Sequence, residues 1–248
     1  MKRILSATLF VAVLGIISIN AFAQTESRDD VIKQIETKRA ELAVLEKNLL
    51  APSEEDRAAY ADFLRQPNMG LIRLLPRETY DRNALKDNSK GLTVTGGGAY
   101  YSFGRLTHEY GYGSDIELSS DSLSVGGFGG ASYGILKNLG DLTLEQITLE
   151  HPSVRLMAAY NPAGELSKAR VEQRRLRDRE FTIDNERYQR HTPVEVNKTY
   201  LIRSINYDYT DVLVAFRVVR KDTDGSLIIA WKLLKNYPKP ELIRNIIE

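Results

Sequence analysis

Gly130-Ala131-Ser132-Tyr133-Gly134 fits the Gly-x-Ser-x-Gly spacing that presents a nucleophilic serine on a sharp turn, and acids and then His191 follow downstream. In that order the residues describe a serine hydrolase, with His191 taking the proton of Ser132 as it attacks. The motif works only where a parallel strand runs straight into a long helix. Here Gly140 arrives six residues after Gly134 and the neighbouring runs have the pattern of antiparallel strands, so the hydrolase is the alternative reading.

Two other candidate chemistries fail on spacing. His108-Glu109 suggests a zinc site, but the position four residues after His108 is Tyr112, and neighbours in an extended chain point to opposite faces. His151 and His191 lie far along the chain, so no metal is expected. Gly96-Gly97-Gly98 and Gly104 suggest a phosphate loop, yet Ala99-Tyr100-Tyr101 follows where Gly-Lys-Ser/Thr would open a helix. No nucleotide and no other cofactor is expected.

The stretch from Thr93 to Asp115 nevertheless holds six glycines, five aromatics and a histidine. Read as an extended segment, Leu106, His108, Tyr110 and Tyr112 share one face, and Thr107, Glu109, Gly111 and Gly113 share the other. Glycines beside aromatics recur at Gly96-Gly97-Gly98 with Tyr100 and Tyr101, and at Gly126 to Gly130 with Tyr133. Glycine in a strand marks a bulge, a bend or a close backbone approach, so the pattern predicts a strongly curved sheet. Its concave side would expose His108, Tyr110 and Tyr112, with Asp115 or Glu117 at the rim. Aromatic faces with a few polar groups suit a saccharide or a peptide segment as ligand.

These residues need elements to position them. Residues 26–50 predict one helix: Val31, Lys38 and Leu45 interleave with Ile35, Leu42 and Leu49 as alternating core positions of three heptads. Its apolar stripe either lies on its own domain or makes a short coiled coil, which would give self-association. Pro52 ends that pattern, and Ser53-Glu54-Glu55-Asp56 opens a second helix with a capping hydroxyl and acids at its positive end. Residues 24–66 thus form a helical arm or hairpin, and 67–91 a linker.

From residue 92 to 241 the pattern is that of an antiparallel β-rich domain, with 242–248 a C-terminal tail. Two short strands flank Ser120-Asp121, and a third is expected in His151 to Pro162. Residues 164–180 predict one helix rich in both charge signs, read as a solvated face. Three β-rich runs follow, Thr199 to Asp208, Asp211 to Lys221 and Ser226 to Tyr237, with Thr223-Asp224-Gly225 a tight-hairpin signal between the last two. The middle run is apolar at both parities, so it should be central and covered on both sides. The fold class is α+β.

Composition bounds the setting. Lys2 and Arg3, an apolar run from Ile4 to Ile19 and Ala21-Phe22-Ala23 read as a signal peptide cleaved after Ala23. Of 34 Lys and Arg, cleavage removes two, leaving 32 against 33 acids, a balance that attracts neither nucleic acid nor an anionic membrane. No second apolar run approaches a membrane span. The chain has no cysteine, which removes thiolate metal sites, catalytic thiols and disulfides. The expectation is a soluble periplasmic or extracellular protein, a non-enzymatic binding or interaction module.

Overall fold

The computed structural model describes residues 27–80, 98–126, 129–177, 180–183 and 186–243. The signal-like segment, its cleavage position, Gly96-Gly97 and Gly127-Phe128 lie outside them. The chain divides into two compact units, one through Ala43 and one from Val44 onward.

The first helix, α1 (Arg28–Leu50), has Asp29 and Asp30 in its first turn and Lys47 in its last, charges that complement the helix dipole. None of its residues is buried. After Pro52 come α2 (Glu54–Ala59) and α3 (Ala61–Leu64). Ser53 caps α2 as expected: its hydroxyl accepts from the Asp56 amide while the Asp56 carboxylate accepts from the Ser53 amide. The first strand, β1 (Met69–Leu74), falls in the stretch read as a linker, and α4 (Arg77–Tyr80) follows it.

The β-rich part consists of two antiparallel sheets. In chain order the strands are β2 (Tyr100–Tyr101), β3 (Ile116–Ser119), β4 (Ser122–Val125), β5 (Tyr133–Asn138), β6 (Glu180–Ile183), β7 (Glu186–Gln189) and β8 (His191–Pro193), then β9 (Thr199–Asn206), β10 (Thr210–Lys221) and β11 (Leu227–Asn236). A seven-stranded sheet runs β1-β11-β10-β9-β5-β7-β6, and a four-stranded sheet runs β2-β3-β4-β8. The chain passes from the smaller to the larger sheet between β4 and β5, and back between β7 and β8. The hairpin at Thr223-Asp224-Gly225 forms as expected, with Gly225 at φ 85°.

Two further helices lie between β5 and β6, α5 (Pro152–Ala159) and α6 (Leu166–Arg175). The segment around Val154 was expected as a strand and is α5 instead. Pro152 occupies the first helical turn, where its missing N–H costs nothing, and the buried Val154 and Met157 are one turn apart rather than alternating. The charged helix exists but is shorter than 164–180, giving way to β6 at Glu180.

Strand β10 shows why both sheets and helices are needed. Val212, Val214, Phe216 and Val218 join a core with Ile116, Leu118, Leu123 and Val125 of the smaller sheet. Leu213 and Ala215 join a second core with Val154, Met157 and Ala169 of the helices. Successive side chains point to opposite faces, so one apolar strand forms two cores.

A fully buried charge crosses this arrangement. Arg203 on β9 donates Nε to Asp211 Oδ1 at 2.5 Å, Nη2 to Asp211 Oδ2 at 2.9 Å and Nη1 to the Met157 carbonyl at 2.9 Å. The Tyr237 ring lies 3.4 Å from its guanidinium carbon. Each of its three nitrogens has a hydrogen-bond partner, and a buried ion pair needs such partners to offset its desolvation. Arg203→Met should therefore cost about 3–5 kcal/mol by leaving Asp211 buried alone, and adding Asp211→Leu should restore most of that loss. Urea unfolding of the two variants checks this; equal losses in both would contradict it.

Candidate functional site

The expected site residues do not converge. Residues 108–113 are not a strand. Leu106 at φ 55° and Gly111 at φ 102° turn the chain, so the alternation assumed across them is broken. His108 packs against Tyr101, with ring centroids 5.1 Å apart, and its Nε2–H donates to the Arg73 carbonyl at 2.6 Å. Burial lowers its pKa, which favours the neutral imidazole, and the bond to Arg73 opposes that only in part. Tyr110 packs edge-on against Tyr100 at 5.0 Å. Tyr100 and Tyr101 are consecutive in β2, so His108 and Tyr110 meet opposite faces of that strand.

Neither acid stands at a rim. Glu117 is buried and paired with Arg77 at 3.0 Å and with the Tyr100 hydroxyl at 3.1 Å. Asp115 is fully buried and accepts from Asn206 Nδ2 at 2.9 Å, from the Gly104 amide at 3.2 Å and from Ser102 Oγ at 3.3 Å. Burial pushes its pKa up to about 6 in spite of these donors.

Ser132 and His191 are not joined by a hydrogen bond among the described residues. Ser132 precedes β5, an antiparallel strand, instead of following a parallel strand into a helix. Its Oγ accepts from the Tyr207 amide at 3.2 Å and its carbonyl accepts from Gln173 Nε2 at 2.9 Å. His191 on β8 lies opposite Ser124, not Ser132. Among the described residues no group of three His, Asp or Glu is placed to hold a metal.

Two of the expected residues, Tyr112 and Ser132, do meet at a different place. The chain crosses between the sheets here, between β4 and β5, and glycines lie at that crossing. A Cβ on Gly134 would lie 2.6 Å from the Arg203 carbonyl, and one on Gly126 would lie 2.5 Å from the Ser114 carbonyl, so both allow close backbone approach. Gly129 and Gly130 turn the chain at φ 101° and 61°. Two cavities flank this turn and share Gly129, Gly130 and Ser132 in their walls.

The first cavity, about 380 Å³, is bordered by Tyr112, Tyr209, Arg170 and Leu166. The rings of Tyr112 and Tyr209 are nearly parallel, 9° apart with centroids at 6.5 Å, and they are 55 and 44 % exposed. Arg105 sits 5.2 Å from the Tyr209 ring centre. The second, about 260 Å³, is bordered by Gln173, Leu176, Arg177 and Arg190. Tyr209, Arg177 and Arg190 had no part in the expected site. Each looks ordinary in its own stretch of sequence: Arg177 follows a helix of mixed charge, and Tyr209 sits in a hairpin turn. Comparison of the chain with models of protein families, with curated proteins and with solved structures finds no match.

Two outcomes are expected. A serine-reactive phosphonate should leave Ser132 unlabelled in the folded protein; labelling that His191→Ala abolishes would restore the hydrolase. Asp115 should give stability a pH slope. Its folded pKa is raised, so the folded form holds a proton that the unfolded chain has released, and the stability this proton adds is full below about pH 4 and lost as pH rises through about 6. At about 1.4 kcal/mol per pH unit, on the order of 2–3 kcal/mol is lost across that window. Unfolding measured from pH 4 to 7 should show the slope reduced in Asp115→Asn, whatever that variant's absolute stability; parallel slopes would remove the assignment.

Proposed function

We propose that the protein is an exported, non-enzymatic binding module that holds a saccharide at the groove beside Gly129 to Ser132. The observation that carries this reading is the Tyr112–Tyr209 pair. Two near-parallel, half-exposed rings at the mouth of a cavity form a platform for the apolar face of a sugar ring, and the backbone groups around Ser132 border it. Export rests on the N-terminal sequence pattern, and an extended peptide segment is the competing ligand. Among the described residues Ser132 Oγ is hydrogen-bonded to the Tyr207 amide and to no proton acceptor, which weighs against the hydrolase alternative.

The test is a pull-down of residues 24–248 on peptidoglycan and a panel of insoluble polysaccharides, beside a Tyr112→Ala, Tyr209→Ala variant. Both rings are substantially exposed, so the variant should keep the parent's circular dichroism. Parent retention should fall about tenfold or more in the variant, since each aromatic contact is worth about 0.5–1.5 kcal/mol beyond its area. Equal retention of both, or of neither, would overturn the reading.

Self-association through residues 26–50 is the second proposal, favoured by one observation. Val31, Ile35, Leu42 and Leu45 of α1 are all at least 40 % exposed, although they form the apolar stripe of the heptads. Deleting residues 24–50 should then lower the mass measured by light scattering to that of a monomer. A parent that is already monomeric would remove this proposal.

A further inference from the structure

We infer that the cavity between Arg177 and Arg190 is an oxyanion site, so that the ligand of the neighbouring aromatic groove is an acidic saccharide. The saccharide half rests on the reading above; the oxyanion half stands on separate residues.

Arg177 lies just past α6, where its amide donates to the Arg174 carbonyl, and Arg190 lies between β7 and β8, where its carbonyl accepts from the Val125 amide at 2.9 Å. The fold therefore fixes both backbones and brings two cations from separate elements to one cavity. Neither guanidinium makes a hydrogen bond or an ion pair with the described residues. Several other arginines of this unit are paired: Arg203 with Asp211, Arg175 with Glu172, Arg73 with Asp224 and Arg220 with Asp56. No Asp or Glu is among the described residues that border the cavity. Two cations that share a cavity with no acid among its described lining repel each other, and an anion between them turns that cost into attraction. Guanidinium groups suit this task because their planar forks match the two oxygens of a carboxylate or phosphate.

The floor adds donors. Gly129 and Gly130 have positive φ, and their amides donate to no described residue. A Cβ on Gly130 would meet nothing within 4 Å, so space is open there and glycine serves the backbone conformation. Consecutive amides in such a turn make a concavity for an anion. Gln173 is committed to the Ser132 carbonyl and holds the wall.

Geometry then links the two halves. Gly129, Gly130 and Ser132 border both cavities, so a ligand ring against Tyr112 and Tyr209 can place a charged substituent on the arginine side. Arg170 and Asp208 both border the aromatic cavity, so its described lining carries one charge of each sign and the excess of cations lies on the Arg177 and Arg190 side. A sugar carboxylate and a sugar phosphate share the required chemistry.

The experiment is calorimetric titration of residues 24–248 at low salt with trigalacturonate, maltotriose and inorganic phosphate, repeated on Arg177→Gln, Arg190→Gln and the Tyr112→Ala, Tyr209→Ala variant. Circular dichroism confirms that each is folded. The inference expects trigalacturonate to bind at least about tenfold tighter than maltotriose, and each arginine variant to lose about tenfold, the value of one charge-assisted hydrogen bond. The tyrosine variant should weaken both sugars and spare phosphate. Phosphate bound by the parent and lost in both arginine variants, with no sugar bound, would keep the oxyanion site and overturn the saccharide reading. Sugars bound equally well, with arginine variants like the parent, would overturn the oxyanion site and leave the module standing. No binding of any of the three would overturn both.

Discussion

Strand β10 is apolar at both parities, and its two faces have to be hidden from water by different layers. Each buried aliphatic side chain contributes about 1.5–3 kcal/mol, so leaving either face open would forfeit a large part of a domain's usual net stability. The smaller sheet covers one face and the helices α5 and α6 cover the other. The chain must for that reason cross between the sheets four times, between β1 and β2, β4 and β5, β7 and β8, and β8 and β9. Arg203 and Asp211 fasten the helical side, since the ion pair on β9 and β10 also holds the end of α5 through the Met157 carbonyl.

The candidate site is a consequence of these crossings. A chain that leaves a sheet needs a sharp turn, which Gly129 and Gly130 supply, and close approach on either side of it, which Gly126 permits beside Ser114 and Gly134 permits beside Val125 and Arg203. Turns at a corner cannot be covered by regular packing, so cavities form on both sides of them. Tyr112 closes over Gly129: a Cβ on that glycine would lie 2.6 Å from the tyrosine ring. Scaffold and groove are thus built from the same residues, and glycine serves the fold and the opening at once.

Parts of this were legible in the chain. The hairpin between β10 and β11, the pair β3 and β4, the cap at Ser53 and the two-faced character of β10 all follow from periodicity and turn chemistry over a dozen residues. The misreading of α5 has a local cause: its short apolar run fits strand and helix alike, and the proline that suggested a strand boundary is equally at home in a first helical turn. In the glycine and aromatic stretch the expected faces do not form, because alternation holds only in a regular strand. With Leu106 and Gly111 in left-handed conformations, His108, Tyr110 and Tyr112 go to three different neighbours. Asp115 shows the same limit, for nothing in its flanking residues announces that Asn206 will close over it.

By itself the sequence determined the fold class, the antiparallel character of the sheets and the strand that both cores share. It could do so because side-chain periodicity and turn chemistry act between near neighbours. Only the tertiary structure decided that Tyr112 faces Tyr209, that Asp115 is buried, and that Arg177 and Arg190 border one cavity. Those outcomes depend on the order of strands in two sheets and on where the chain crosses between them. Strand order is set by burial of the whole core, a sum over many distant contacts that no short window of residues contains.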